Sequence, residues 1–363
     1  MLIDPEGLSG GIRNLLEDCA QVNPGQSLLI LREDPALGYF GTGLAEAVVE
    51  AAATFGLCVR IVDVPFSPDV EFLPPGLEDE MRSADHALFL ARLGDQLRFK
   101  SMPADCKPIV SYILDLPSLA SSFGTAPYSG LMRLIKLFND LFSTARDIHI
   151  ACALGTDVRG HVRASAAPEP VDVSVRRFPV SIFAPLDASG FSGEVAVAHL
   201  LAGTGSRYYQ PYGHPLAAPL FARISNGRIL GWQGPEDLVQ AARSHYAHVA
   251  GLFGVDGDVV HSWHAGIHPG CSFPERACES YERWSGMAFG NPRLLHFHTC
   301  GDYAPGEICW NVVDPTIHVD GIPIWREGRI LIENIPGAVL VLDEFPALRT
   351  LFDNPSPHMG LET

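Results

Sequence analysis

His318-Val-Asp320, inside Asp314-Pro-Thr-Ile-His-Val-Asp-Gly321, sets an imidazole and a carboxylate two residues apart. On an extended strand, residues i and i+2 project to the same side, so the pair would enter one cavity as two metal ligands on a rigid support. The spacing alone is weak evidence, since 14 histidines and 42 acidic residues in 363 positions produce about one or two such pairs by chance. Its company adds weight: a turn-like His261-Ser-Trp-His264-Ala-Gly-Ile-His268 and a strand-like Leu294-Leu-His296-Phe-His298-Thr-Cys300 fall in the same C-terminal third. His318 and Asp320 with His264 from the turn would give two histidines and one carboxylate, a set that suits non-haem Fe(II) and leaves positions open for dioxygen and a chelating substrate. The same three ligands would serve zinc hydrolysis, so ligand type leaves the reaction open. His296 and His298 also share a strand face. Each is a candidate fourth ligand, a group that orients a ligand, or a general base. Against every one of these stands the reading of a histidine simply hydrogen-bonded in the core.

The elements that must hold these residues fall into two halves. Over the first 165 residues strand and helix signals alternate, which predicts an α/β domain of Rossmann-like type, a mostly parallel sheet covered by helices. Strands are expected at Ser27 to Leu31, Cys58 to Val64, His86 to Ala91, Pro108 to Leu114 and Asp147 to Ala153, with helices from Leu44 to Phe55 and over the periodic run Leu131 to Phe142. From residue 166 to 363, proline and glycine punctuate shorter segments, which predicts an α+β domain rich in antiparallel strands that carries the metal site. Ala166-Ala-Pro-Glu-Pro170 is the expected linker. Strands are expected at Val180 to Ala184, Glu194 to Leu201, Ala217 to Ile224, Leu294 to Thr299, Ile317 to Asp320, Arg329 to Glu333 and Ala338 to Leu342.

Composition narrows the function classes. A net charge of −17 opposes nonspecific nucleic-acid binding, because a polyanion would be repelled. A small molecule or a peptide is the expected partner. A hydrophobic content of 47% with 18% charged residues describes a compact chain. No membrane span and no basic-then-apolar leader are recognisable, so the expected location is the cytoplasm. The eight cysteines are scattered without a C-x-x-C pair, as expected of reduced thiols. Gly38-Tyr-Phe-Gly41-Thr-Gly43 follows the first strand, yet its order is G-x-x-G-x-G rather than the dinucleotide fingerprint, and it reads as a strand-to-helix turn.

Asp147-Ile-His-Ile-Ala-Cys-Ala-Leu-Gly-Thr-Asp157, Phe178-Pro-Val-Ser-Ile-Phe-Ala-Pro185, Trp263-His-Ala-Gly-Ile267 and Ile317-His-Val-Asp320 together resemble, in order, landmarks of the thermophilic aminopeptidase T superfamily. The resemblance runs over nearly the whole chain and implies an N-terminal α/β domain, a C-terminal metal-bearing domain and homo-oligomeric assembly. The peptidases hold two metals with several glutamates, whereas Phe178 to Pro185 has no acidic residue and His264 stands where a second glutamate falls. That departure is similar to the 2,5-dihydroxypyridine 5,6-dioxygenases, which use a single Fe(II) to open a hydroxylated pyridine ring. The resemblance implies His264, His318 and Asp320 as iron ligands and Thr299 as a substrate contact with His296 beside it; where those dioxygenases carry an acid–base histidine this chain reads Ala91-Arg-Leu-Gly-Asp95, so Asp95, His296 or His298 is the candidate for that role. The function it implies is Fe(II)-dependent ring cleavage of a small hydroxylated aromatic or heteroaromatic compound by dioxygen. The alternatives are a noncatalytic or divergent relative binding a peptide or a biosynthetic intermediate, and a metallo-aminopeptidase, with Zn(II) or no metal in place of iron.

Overall fold

A computed structural model describes residues 3–162 and 175–361. The chain divides into two compact units, and the expected linker Ala166 to Pro170 lies outside the described residues. The first unit holds the chain up to Leu131, a short stretch ending at Val180, and Gly205–Tyr208; the second holds the remainder. The boundary therefore falls inside the helix Tyr128–Ser143, well before the expected residue 165. The reason is pairing: Ile148–Ala151 joins Thr316–Val319 and Asp157–Gly160, so these early strands belong to the C-terminal fold.

The first unit is built on a five-stranded parallel sheet in the order Cys58–Asp63, Ser27–Arg32, His86–Leu90, Lys107–Ser111, Arg176–Phe178. Its central strands are near-continuous apolar runs because a parallel sheet is buried on both faces, and Leu29, Leu31, Phe89 and Val110 enter one core. The order reverses between the Ser27 and His86 strands, the point where α/β sheets commonly bind nucleotides. Here the protein's own groups fill it. Glu33 accepts from Arg92 Nη2 at 2.7 Å and from the Arg92 backbone N–H at 3.1 Å, and the Arg92 guanidinium lies 3.4 Å from the Phe66 ring centre. The glycine turn is steric, as read from the sequence: a side chain at Gly41 would sit 2.9 Å from the Asp115 Cβ.

The second unit contains two antiparallel sheets. The eight-stranded one runs Arg228–Gln233, Leu220–Ser225, Ser192–Val197, Asp157–Gly160, Ile148–Ala151, Thr316–Val319, Ile322–Arg326, Arg329–Ile330. The six-stranded one runs Gly213–Pro215, Leu200–Gly203, Ile308–Val313, Leu294–Thr299, Val260–Ala265, Leu186–Asp187. Phe138 and Phe142, one helical turn apart, join Phe183, Trp263 and Trp325 in an aromatic core, with Phe142 and Phe183 stacked at 4.7 Å and Phe142 edge-on to Trp263 at 5.7 Å.

Four expected strands differ, and of Arg329 to Glu333 only Arg329–Ile330 is strand, with a 3-10 turn at Ile332–Asn334. Glu194 to Leu201 is two strands that change sheets at His199, whose φ of 65° turns the chain. Val180 to Ala184 contributes only a bridge from Ile182 to Gly266. Ala338–Glu344 is a helix: Ala338, Val341 and Leu342 are buried while Val339 and Leu340 are exposed, a spacing of three and four rather than two. No described helix is long and apolar enough to cross a membrane, and all eight cysteines are free.

Candidate metal centre

The three central strands of the six-stranded sheet alternate sharply. Trp263, Phe297 and Trp310 are paired across neighbouring strands and share one face. Ser262, His264, His296, His298 and Asn311 share the other. His264 lies directly opposite His296, Ser262 opposite His298, and Asn311 opposite His296 on its far side. Cross-strand partners hold their Cβ atoms about 4.5–5.5 Å apart, so the register alone gathers three imidazoles. The aromatic face anchors the strands beneath them, and all three tryptophan and phenylalanine side chains are fully buried.

His264, His296 and His298 each offer a ligand atom, and these atoms lie within 4.8 Å of one another. The rings are 4.1 Å apart for His264 and His296, 4.9 Å for His264 and His298, and 5.0 Å for His296 and His298. They are 2%, 2% and 6% exposed, a degree of burial that disfavours positive charge. Burial pushes His296 well below the usual histidine range, and His264 and His298 push it in the same direction. A neutral imidazole keeps one lone pair, and neighbouring groups decide which nitrogen carries it. His264 Nδ1 is 3.0 Å from the Phe183 carbonyl oxygen; a carbonyl only accepts, so Nδ1 holds the proton and Nε2 the lone pair. His298 Nδ1 is 3.0 Å from Ser262 Oγ. His296 stacks on Phe289 at 4.1 Å and 21°, and its buried Nδ1 has no hydrogen-bond partner. Buried polar atoms are rarely left unsatisfied. Three converging buried imidazoles, one hydrogen-bonded to a backbone carbonyl and one with an unsatisfied nitrogen, fit a divalent transition-metal ion.

The ligand set expected from His318 and Asp320 is not brought together with His264; among the described residues the single converging group of three is the histidine cluster. His318 lies in the eight-stranded sheet, stacked on His149 at 6.1 Å. Asp320 is exposed, and its Oδ1 accepts the backbone N–H groups of Arg146 and Asp147, both at 2.9 Å. Asp320 and Gly321 have φ of 49° and 82°, the two positive values of a type I′ hairpin turn. Asp320 is past the end of its strand, so the rule that puts i and i+2 on one face does not reach it.

Thr299 also sits apart from the cluster: its hydroxyl donates to the Ile308 carbonyl at 3.0 Å and bonds the Tyr246 hydroxyl at 2.5 Å, on the opposite face from His298. Asp95 lies in the first unit, accepting from the Tyr112 hydroxyl at 2.7 Å and paired with Arg98 at 3.0 Å. Of the expected residues, His264, His296 and His298 are gathered. Ser262 was missed, although Ser262-Trp-His264 carries the same i, i+2 signal as His296-Phe-His298.

No protein-family model and no curated protein matches this sequence. Solved structures do. The 2,5-dihydroxypyridine dioxygenase of Pseudomonas putida KT2440 superposes with a TM-score of 0.63 at 14% identity, covering 91% of this chain and 98% of that one. AmpT of Thermus thermophilus superposes with a TM-score of 0.51 at 11% identity, covering 90% and 99%. The chain has the aminopeptidase T-like fold. At these identities the likeness carries the architecture alone.

Proposed function

We propose that this protein is a mononuclear metalloenzyme that binds one divalent ion through His264, His296 and His298, and that it is an Fe(II)-dependent dioxygenase cleaving a small hydroxylated aromatic or heteroaromatic ring. The observation that carries the reading is the convergence of three buried imidazoles on one sheet face. The shared fold with a ring-cleaving dioxygenase supports the choice of reaction class. Fe(II), when bound, would hold dioxygen and a chelating substrate at its open positions. The protein's own part is positional. The Phe183 carbonyl holds the proton of His264, Phe289 supports the His296 ring, and the Ser262 hydroxyl orients His298. His298 is thereby assigned as a ligand rather than as the acid–base group. An all-imidazole set brings no negative charge, so the ion keeps its full charge and favours an anionic chelate such as a ring phenolate.

A zinc-dependent reaction is the second reading, favoured by one feature: three histidines with an open position suit zinc and a bound water nucleophile. A two-metal peptidase has less support, because the cluster contains no carboxylate to hold a second ion.

The test is anaerobic purification and reconstitution with Fe(II) or Zn(II). One ion per chain is expected, lost in His264→Ala, with oxygen consumed by the Fe(II) form in the presence of catechols or hydroxypyridines. Asp95→Asn in the same assay checks the acid–base role implied by the resemblance, and light scattering checks homo-oligomeric assembly. Release of N-terminal amino acids from peptides, abolished by His264→Ala, would overturn the dioxygenase assignment. Failure to bind any divalent metal, with affinity for a peptide, would favour the noncatalytic relative.

A further inference from the structure

The strand Val260–Ala265 is not regular. Val260 pairs with Thr299 and Ser262 pairs with His298, so the register slips between them and His261 is the extra residue of a bulge. Bulges next to functional sites commonly re-aim a side chain. The one here puts two histidines on either side of a single hydroxyl: Ser262 Oγ is 3.0 Å from His298 Nδ1 and 3.0 Å from His261 Nδ1. A serine hydroxyl has one proton. Between two neutral imidazoles it donates to one Nδ1 and accepts from the other, so the two rings must take opposite tautomers.

We infer that His261, acting through Ser262, is the positioning residue that holds His298 as its Nδ1–H tautomer. The chain runs from His298 Nδ1–H to Ser262 Oγ, and from the Ser262 hydroxyl to the Nδ1 lone pair of His261. Two observations set this direction. His298 is buried with two other imidazoles and must offer Nε2 as a lone pair if the cluster is to act together. His261 is only partly buried and His298 is 6% exposed, so His261 is the ring better placed to leave an N–H for water. The opposite direction would place a proton on His298 Nε2 and remove the lone pair. His261 does not touch the ion under this scheme; it decides, one hydroxyl away, which nitrogen of His298 is basic.

The direction of the hydrogen-bond chain and its consequence for metal affinity both rest on the function proposed above, and the experiment reads the tautomer and the affinity separately. Long-range proton–nitrogen correlation spectra of metal-free protein near pH 8, where histidines are mostly neutral, distinguish Nδ1–H from Nε2–H rings. His298 is expected to read as Nδ1–H in the native protein and in His261→Asn, whose carboxamide oxygen replaces the Nδ1 acceptor. It is expected to move toward Nε2–H or a mixture in His261→Leu. Zn(II) competition titrations should show Ser262→Ala weakened by about tenfold or more and His261→Leu weakened several-fold, within the usual range for groups that orient ligands. His261→Asn should stay within about twofold of the native protein if the acceptor is what matters. Thermal melts of each variant check that the fold is kept. A native His298 that reads Nε2–H, or a His261→Leu protein with native tautomer and native affinity, overturns the inference. Native protein that binds no Zn(II) defeats the metal site instead, and the tautomer spectra still decide the role of His261.

Discussion

Replacing His296 by leucine should reverse the stability order of two proteins when metal is added. In the metal-free protein His296 is 2% exposed and its Nδ1 has no partner, and an unsatisfied buried polar atom costs about 1–3 kcal/mol. Leucine removes that atom and roughly keeps the volume. It loses the stacking on Phe289 at 4.1 Å, worth about 0.5–1.5 kcal/mol. The balance is a variant as stable as the native protein or more stable by about 1 kcal/mol. With Zn(II) at about a hundred times its dissociation constant the native protein gains about 2.7 kcal/mol, while the variant, left with two ligands, gains little. Urea unfolding followed by tryptophan fluorescence is the assay, because Trp232, Trp263, Trp284, Trp310 and Trp325 all lie in the second unit and report on it alone. A His296→Leu protein that loses more than about 2 kcal/mol without metal would show that His296 is a structural residue, and native protein whose midpoint ignores metal would refute the site.

Three further outcomes follow. Asp320→Ala should cost about 1–2 kcal/mol through the loss of two backbone hydrogen bonds at a strained turn and leave metal affinity unchanged, with Asp320→Asn milder; loss of metal binding in either would restore the His318–Asp320 ligand set. His245 is 5% exposed and burial, with His214 and His248 adding to it, lowers its pKa to about 4. Because the folded value lies below the unfolded value near 6.5, the unfolded chain binds the proton first, so up to about 3 kcal/mol is lost as pH falls from 6.5 to 4; His245→Leu should flatten that limb in acid unfolding curves, and an unchanged slope would assign it elsewhere. Glu33→Gln should cost about 3–5 kcal/mol in the first unit by leaving Arg92 buried without its carboxylate, read as an early far-ultraviolet circular dichroism phase without tryptophan change, while Glu33→Leu with Arg92→Met should recover most of it.

The parallel sheet was readable in sequence because its strands carry their own evidence: Ser27-Leu-Leu-Ile-Leu-Arg32 is apolar on both faces, and Leu44–Thr54 is a helix stopped near Gly56. The domain boundary was not, since Ile148-His-Ile-Ala151 has the local pattern of any strand and only its partner, Thr316–Val319, assigns it to the other unit. Ala338-Val-Leu-Val-Leu342 was read as a strand from its β-branched content, but Gly337 at φ 84° starts a helix whose buried stripe decides the outcome. The site was half readable. His296-Phe-His298 lies on an unbroken strand, so the alternation rule held there. His318-Val-Asp320 met the same rule with a stronger competing signal in the next residue, because Asp320-Gly321 between alternating segments is the mark of a hairpin turn.

On the proposed reading, the ligand type would follow from where the cluster sits. A carboxylate at the centre of a sheet face that is only a few per cent exposed would stay charged only with a partner, and removing the ion would leave that charge buried and costly. Imidazoles pass through the same cycle at low cost, because each one simply remains neutral, as the lowered His296 value indicates. The aromatic face below and the polar face above belong to one pattern on three strands: Trp263, Phe297 and Trp310 fix the backbone, and the register brings His264, His296 and His298 together. On the proposed reading such a site would not need its ion for the fold, because the sheet and its aromatic face already fix the strands, whereas a structural zinc site is commonly unfolded without its ion.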